Sequence, residues 1–500
     1  MQYISSRGQA ANVQAAEAIK MGIAPDGGLF VPKAMPNLSE KVIETMFHQT
    51  YQERAAYILS LFLTDFNSEE IDFCVNNAYN TKNFAQERIA PLIKINEQLH
   101  VLELWHGPTS AFKDMALQIL PYLMTTSAQK AGERSEIVIL VATSGDTGKA
   151  ALAGFSDVDK TKIIVFYPAD GVSEVQKRQM VTQEGANVFV AAVRGNFDDA
   201  QSGVKEIFAD QALNAFLAEN NLKFSSANSI NWGRLLPQIV YYVSAYLDLR
   251  ANGDIDSAQA INIVVPTGNF GNILAAYYAK RMGIPINKLI CAANKNNVLT
   301  DFINSGIYDK NRSFEKTISP SMDILISSNL ERLLFEVTNH DSTRVSTWMA
   351  ELNDTGKYEI DERSYNIIRE LFWSDYASDA ETIATISEVW KEHDYLLDTH
   401  TAVAMNVYEK YINATRDDTV TIIASTASPF KFGSSVAQAV IPDKLGKEDE
   451  FGILNVLAQE VGISIPDGIK DLDKKDILHK KITEKNKLKA TVLEFLGLGS

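Results

Sequence analysis

The sequence predicts an α/β fold with parallel sheets covered by helices in two lobes, preceded by a mostly helical N-terminal region and followed by a small C-terminal extension. Three observations predict it. Short apolar, β-branched runs recur through the middle of the chain; each precedes a stretch with helical spacing; and the joints between them are rich in glycine and hydroxyl residues. Strands alternating with helices give a parallel sheet covered on both faces. Sites in such folds lie at the carboxyl ends of the strands, so the loops after those runs are where chemistry is expected.

The elements follow in order. Residues 1–95 read as mostly helical: a helix over 13–21, the turn Ala24-Pro25-Asp26-Gly27-Gly28, then apolar positions at helical spacing over 37–90. Residues 96–440 carry the α/β region. Strands are expected at 100–105, 136–142, 162–166, 187–193, 261–265, 289–293 and 419–424, a helix over 112–130, and helical periodicity again over 320–415. Residues 441–500 are lysine-rich with mixed charge and read as a small surface subdomain.

Composition narrows the function. At 500 residues, with 46% hydrophobic and 22% charged, the chain is of ordinary globular make-up. Its net charge of −16 disfavours nucleic acid and anionic membrane surfaces as partners. There is no apolar stretch long enough to span a membrane, and the N-terminus lacks a secretory pattern. Cys74 and Cys291 are the only cysteines, which fits a reducing cytoplasm. No spacing suggests a metal site.

Four loops carry the chemical interest. His106-Gly-Pro-Thr-Ser-Ala-Phe-Lys113-Asp114 joins a strand to a helix, with Thr109 or Ser110 able to cap it and Lys113 in its first turn. A cation is disfavoured at a helix N-terminus, so Lys113 is either a Schiff-base lysine with a depressed pKa or a side chain reaching solvent. Thr143-Ser-Gly-Asp-Thr-Gly148 exposes backbone N–H groups at a helix start, an anion cradle or simply a capped turn. The P-loop reading of this stretch fails, because Thr143 stands where glycine is needed and Ala150 where Ser/Thr is needed. Pro266-Thr-Gly-Asn-Phe-Gly-Asn272 is a second cradle, and it is not GxGxxG. Ser425-Thr426-Ala-Ser-Pro429 brings hydroxyls to a strand end. Together the loops suit an anionic cofactor held by its phosphate, a lysine nucleophile and a second anion such as a carboxylate.

The same segments resemble the threonine synthase family of fold-type II (tryptophan synthase β-like) pyridoxal-phosphate enzymes. HGPTSAFKD, ATSGDTG and PTGNFGN match its lysine, substrate and phosphate motifs. SSANSINWGRLLPQ (225–238), DTHTAVA (398–404) and APDGGLFVP (24–32) match as well. The resemblance runs from about residue 3 to 435 and points to the longer bacterial and fungal subgroup. It implies pyridoxal 5'-phosphate as cofactor, O-phospho-L-homoserine as substrate, and γ-elimination followed by β-addition of water to give L-threonine and phosphate. A monomer fits that subgroup.

Carried over residue by residue, Lys113 would bond the cofactor. Gly268, Asn269, Phe270, Gly271 and Asn272 would wrap its phosphate, and Thr426 would meet the pyridine nitrogen. Thr143, Ser144, Gly145 and Thr147 would hold the substrate carboxylate. Asp146 would lie near the cofactor's phenolic oxygen, where it is expected to share a proton or be shifted away. Arg234, Arg7 and Lys149 flank matched segments and are candidates for the substrate phosphate, each equally a surface charge. His106 and His400 are expected to line the site. Two departures, Ser428 where the family usually has His and Thr399 where it usually has Pro, touch substrate contact rather than reaction class. Ser428 keeps open an alternative: a phospho-lyase that releases 2-oxobutyrate from the same substrate.

Overall fold

The computed structural model describes all 500 residues except Ser144, Asp170, Gly171, Asn196 and Ser500, and leaves out the side chains of Phe197 and Asp198. Two sheets organise it. A six-stranded sheet runs in the order Phe372–Tyr376, Ile286–Ala293, Ile261–Pro266, Thr421–Ser425, Leu99–Glu103, Leu92–Lys94, parallel except for its last pair. A five-stranded, wholly parallel sheet runs Lys481–Glu484, Val188–Arg194, Thr161–Pro168, Glu136–Ala142, Leu222–Ser225. All seven expected strands are present: Glu136–Ala142 has the expected bounds, and the other six differ by up to three residues at one or both ends. Their β-branched runs are buried along nearly their whole length, as sheets covered on both faces require.

Sheet order positions the site. The strands Leu99–Glu103 and Thr421–Ser425 are far apart in sequence but are parallel neighbours, with Ser425 opposite Glu103. Their exit loops, which hold Lys113 and Thr426, therefore leave the sheet side by side. The helix Trp232–Asn252 is buried over nearly all of its 21 residues and carries Arg234 in its first turn.

Several expectations change in detail. The helix expected over 112–130 is two, Asp114–Leu117 and Leu120–Lys130, with Pro121 starting the second, where its missing N–H is harmless. The N-terminal region adds a three-stranded antiparallel sheet of Gln2–Ser5, Val13–Gln14 and Phe30–Pro32 to its helices. The stretch 320–415 is helical but includes the strand Phe372–Tyr376, which edges the larger sheet. The tail is not a separate surface subdomain. Lys481–Glu484 pairs in parallel with Val188–Arg194, and Leu488 and Val492 pack into the core of that sheet. Among the described residues no helix is long and apolar enough to cross a membrane.

Candidate active site

The lysine loop is clipped to its neighbour by backbone hydrogen bonds. Phe112 N donates to Thr426 O (2.8 Å), Ser428 N to Ser110 O (3.1 Å) and Leu104 N to Ser425 O (3.0 Å). Ser110 adopts φ 58°, in the left-handed region. Neither Thr109 nor Ser110 caps the helix as expected. Instead Asp114 reaches back, its carboxylate accepting from Thr109 N (2.8 Å) and Thr109 Oγ1 (2.7 Å), and Lys113 itself is the N-cap residue of Asp114–Leu117. Lys113 turns inward, its side chain only 12% exposed: its Nζ lies 3.4 Å from Asp146 Oδ2 and 4.9 Å from the centre of the Phe112 ring. Burial pushes its pKa down, with the charges of Lys431 and Arg234 adding and Asp146 opposing. That is the condition for an amine nucleophile.

Asp146 is held by four partners. Its Oδ1 is 3.0 Å from Lys431 Nζ and accepts from Gln176 Nε2 at 2.9 Å; its Oδ2 accepts from Ser321 Oγ at 2.6 Å and from Lys113. Burial opposes its charge, but Lys431, Lys113 and the bonds from Ser321 and Gln176 outweigh that and hold it well below the usual carboxylate range. It is a buried anion with two cations. Its loop is closed on itself: Thr143 Oγ1 accepts from both Gly145 N and Gly148 N at 3.0 Å. Gly145 sits at φ 145°, where an added Cβ would meet Gln176 at 2.6 Å. Thr147 is half-buried, and Ser144 lies outside the described residues.

The phosphate-type loop is open. Phe270 holds φ 63° as N-cap residue of Gly271–Arg281, with no side chain capping that helix. Among the described residues the buried amide nitrogens Asn272 Nδ2 and Asn329 Nδ2 have no hydrogen-bond partner, whereas Asn272 Oδ1 accepts from Tyr241 (2.9 Å) and Tyr242. A Cβ on Gly271 would lie 3.3 Å from Asn329 Nδ2, and one on Gly268 3.2 Å from Ser321 O. Ser321 thus links this loop to Asp146, whose Oδ2 it shares with Lys113. An open helix N-terminus with unpartnered buried donors suits a phosphate dianion. With Lys113 nearby, the residues fit pyridoxal phosphate.

The remaining candidates separate. Arg234 is buried and donates to Ala227 O (2.9 Å); among the described residues it has no partner at Nε and no ion pair, and burial pushes its pKa down to about 10. Arg7 is instead committed to Glu331 through contacts of 3.1 and 3.0 Å. Lys149 donates to Gln183 Oε1. His106 Nε2 is 2.7 Å from Glu103 Oε2. His400 holds Asp398 through Nδ1 (3.0 Å) and accepts from Ser321 N through Nε2 (3.1 Å), so it supports the Ser321 contact to Asp146. Thr426 is buried, its carbonyl clipping the lysine loop; Ser428 Oγ accepts from Phe430 N (3.3 Å), capping the turn that carries Lys431. Sequence reasoning missed Lys431, Ser321 and Gln176. Only Lys431 left a signal: a lone lysine between two phenylalanines just past the fourth loop.

Known proteins share this architecture. The family pattern described as "Threonine synthase N terminus" matches residues 2–79, "Pyridoxal-phosphate dependent enzyme" residues 79–426, and "Threonine synthase, C-terminal" residues 401–478. The chain is 42% identical over 434 residues to the human protein named Threonine synthase-like 1, which covers 85% of this chain and 58% of that protein, so it spans little more than half of that relative. It is 40% identical over 443 residues to the threonine synthase of Pseudomonas aeruginosa, covering 88% of this chain and 91% of that one. Its fold matches the crystal structure of pyridoxal-phosphate-bound threonine synthase from Brucella melitensis with a TM-score of 0.87, at 36% identity and over 99% of both chains.

Proposed function

The chain belongs to the threonine synthase family of pyridoxal-phosphate-dependent enzymes, and we propose that it converts O-phospho-L-homoserine and water into L-threonine and phosphate. The observation that carries the reading is Lys113. It is a lysine buried at a strand's carboxyl end, depressed in pKa, facing a fixed carboxylate and close enough to the unpaired Arg234 to feel its charge.

When bound, pyridoxal phosphate supplies an electrophilic aldehyde carbon and a ring that takes up electrons as substrate protons leave. Lys113 would hold the cofactor, and its free amine would take and return protons at the substrate carbons. Asp146 stabilises the ammonium that forms. The Gly268–Asn272 loop would hold the cofactor phosphate with backbone N–H groups, joined by Asn329 Nδ2, and Thr426 would meet the ring nitrogen. Arg234 receives a substrate anion. Of the hydroxyls assigned to the substrate carboxylate, Thr143 already orders its own loop as acceptor, which leaves its O–H and Thr147 for the substrate. The buried walls keep bulk water from the reacting carbons, which limits premature hydrolysis to a keto acid.

The two buried, free cysteines support a reducing compartment, the cytoplasm. The test is to supply phosphohomoserine to the purified protein and assay phosphate, threonine and 2-oxobutyrate separately. Threonine and phosphate in equal amounts are expected; keto acid in place of threonine would make the protein a phospho-lyase. Lys113→Ala should remove both the visible absorption of the bound cofactor and turnover, and unchanged turnover would sink the proposal.

A further inference from the structure

Lys431 is fully buried, and its ammonium makes two contacts: the carboxylate of Asp146 at 3.0 Å and the carbonyl of Thr109 at 2.8 Å. It comes from the loop after Thr421–Ser425, and its partners come from the 143–148 loop and the lysine loop. One cation therefore ties together three of the four loops. We propose that Lys431 is a positioning residue, the fixed counter-ion that keeps Asp146 ionised and turned toward Lys113 while Lys113 does the chemistry.

The argument is electrostatic. A buried carboxylate stays charged only while cations and donors compensate for its lost hydration. Asp146 has two cations. The Lys113 nitrogen must change bonding partner and protonation state during the reaction, so it cannot be the constant one. Lys431 has no such duty, and its burial and its second bond to Thr109 O hold it still. The other groups facing Asp146 are Ser321 from beside the phosphate loop and Gln176 from the helix Glu174–Val181, both neutral donors. Arg234 bears on Lys113, His400 meets the backbone of Ser321 and the Asp398 carboxylate, and Asp114 is a second carboxylate that feels the charge of Lys431. Without Lys431, each time Lys113 gave up its charge Asp146 would be left with hydrogen bonds alone and would take a proton.

The proposal rests on the reading of Lys113 as the reactive amine, but its main readout needs neither substrate nor product. Infrared difference spectra of the holoenzyme against Asp146→Asn report the ionisation of Asp146 directly. At about pH 7 a carboxylate band is expected in the parent and in Lys431→Arg, and a protonated carboxyl band in Lys431→Met. Lys431→Met should also lower kcat at least about tenfold with KM within about threefold, and Lys431→Arg should recover most of that loss. A folded Lys431→Met protein with Asp146 still ionised and kcat within twofold overturns the proposal. If Lys431→Met does not fold, the double variant Lys431→Met/Asp146→Asn should, because it removes the stranded buried charge together with its counter-ion. A double variant no more stable than Lys431→Met alone overturns the proposal as well, since Lys431 would then be acting through another contact.

Discussion

The helix starts at Asp146 and at Gly271 read alike in sequence, as glycine- and hydroxyl-bearing loops after parallel strands, yet they are opposites in structure. The first is closed: one hydroxyl, Thr143 Oγ1, takes two of its N–H groups, and the helix carries its own anion, Asp146, at its first position. The second is open: no side chain caps it, and two buried amide nitrogens near it, on Asn272 and Asn329, lack partners. A helix N-terminus attracts negative charge in both cases. One has been supplied with it from its own chain and so gathers lysines around it, while the other needs an anion from outside. Damage to the closed turn should therefore appear as lost stability, and damage to the open one as lost ligand.

Thr143→Val is the sharpest way to break that distinction. The methyl that packs on Gly148 is kept, while the N–H groups of Gly145 and Gly148 lose their acceptor. A buried unsatisfied donor costs about 1–3 kcal/mol, so urea unfolding of the cofactor-free protein should show a loss of about 2–4 kcal/mol. A variant as stable as the parent would mean that the turn is held by something else. Asn329→Asp tests the open loop. It keeps the oxygen that accepts from Arg332 Nη1 at 2.5 Å and replaces the unpartnered NH2 with charge. Cofactor affinity should fall about 100-fold, roughly 2.7 kcal/mol, through repulsion of the phosphate. The cofactor-free protein should be as stable as the parent, because Arg332 gains a carboxylate. Equal loss of stability and of cofactor would erase the contrast between the two loops.

How much of this was legible follows from what a sequence encodes locally. The seven strands were, because each is a continuous apolar run. So were the four loops, because glycine, proline and hydroxyl residues cluster where a strand must turn into a helix. Asp146 was found but its partners were not, since its counter-ion Lys431 lies 285 positions further along and is unmarked by any motif. Ser321 and Gln176 were invisible for the same reason: a serine before a methionine and a glutamine in a polar helix take their meaning only from the groups that packing sets against them. The edge strands Phe372–Tyr376 and Lys481–Glu484 were missed because half-exposed, charged residues interrupt the apolar pattern. Arg7 and Arg234 looked equivalent; only the fold shows that Glu331 takes one and that no acid among the described residues meets the other.

Lys149 sharpens the comparison by the smallest effect. It lies in the first turn of the closed helix, where sequence offered it as a cation for the substrate phosphate. Its Nζ donates to Gln183 Oε1, and burial pushes its pKa from 10.5 down to about 7, with Lys431 and Lys475 adding and Asp114 opposing. The folded protein therefore sheds this proton near pH 7, whereas the unfolded chain keeps it until about pH 10.5. Between those limits the unfolded state binds more protons, so this group makes stability rise with pH; below pH 7 both states are protonated and its contribution is constant. Lys149→Met should flatten the rise between pH 7 and 9, by about 0.5 kcal/mol per pH unit once partial exposure is discounted from the limit of about 1.4. The check is the urea midpoint of both proteins at pH 7, 8 and 9. Converging lines would show a lysine that is largely neutral at working pH, so that the closed turn offers the substrate no cation of its own and Arg234 must meet the anion. Parallel lines would show that Lys149 keeps its charge, and would return it to the substrate phosphate as a second cation beside Arg234.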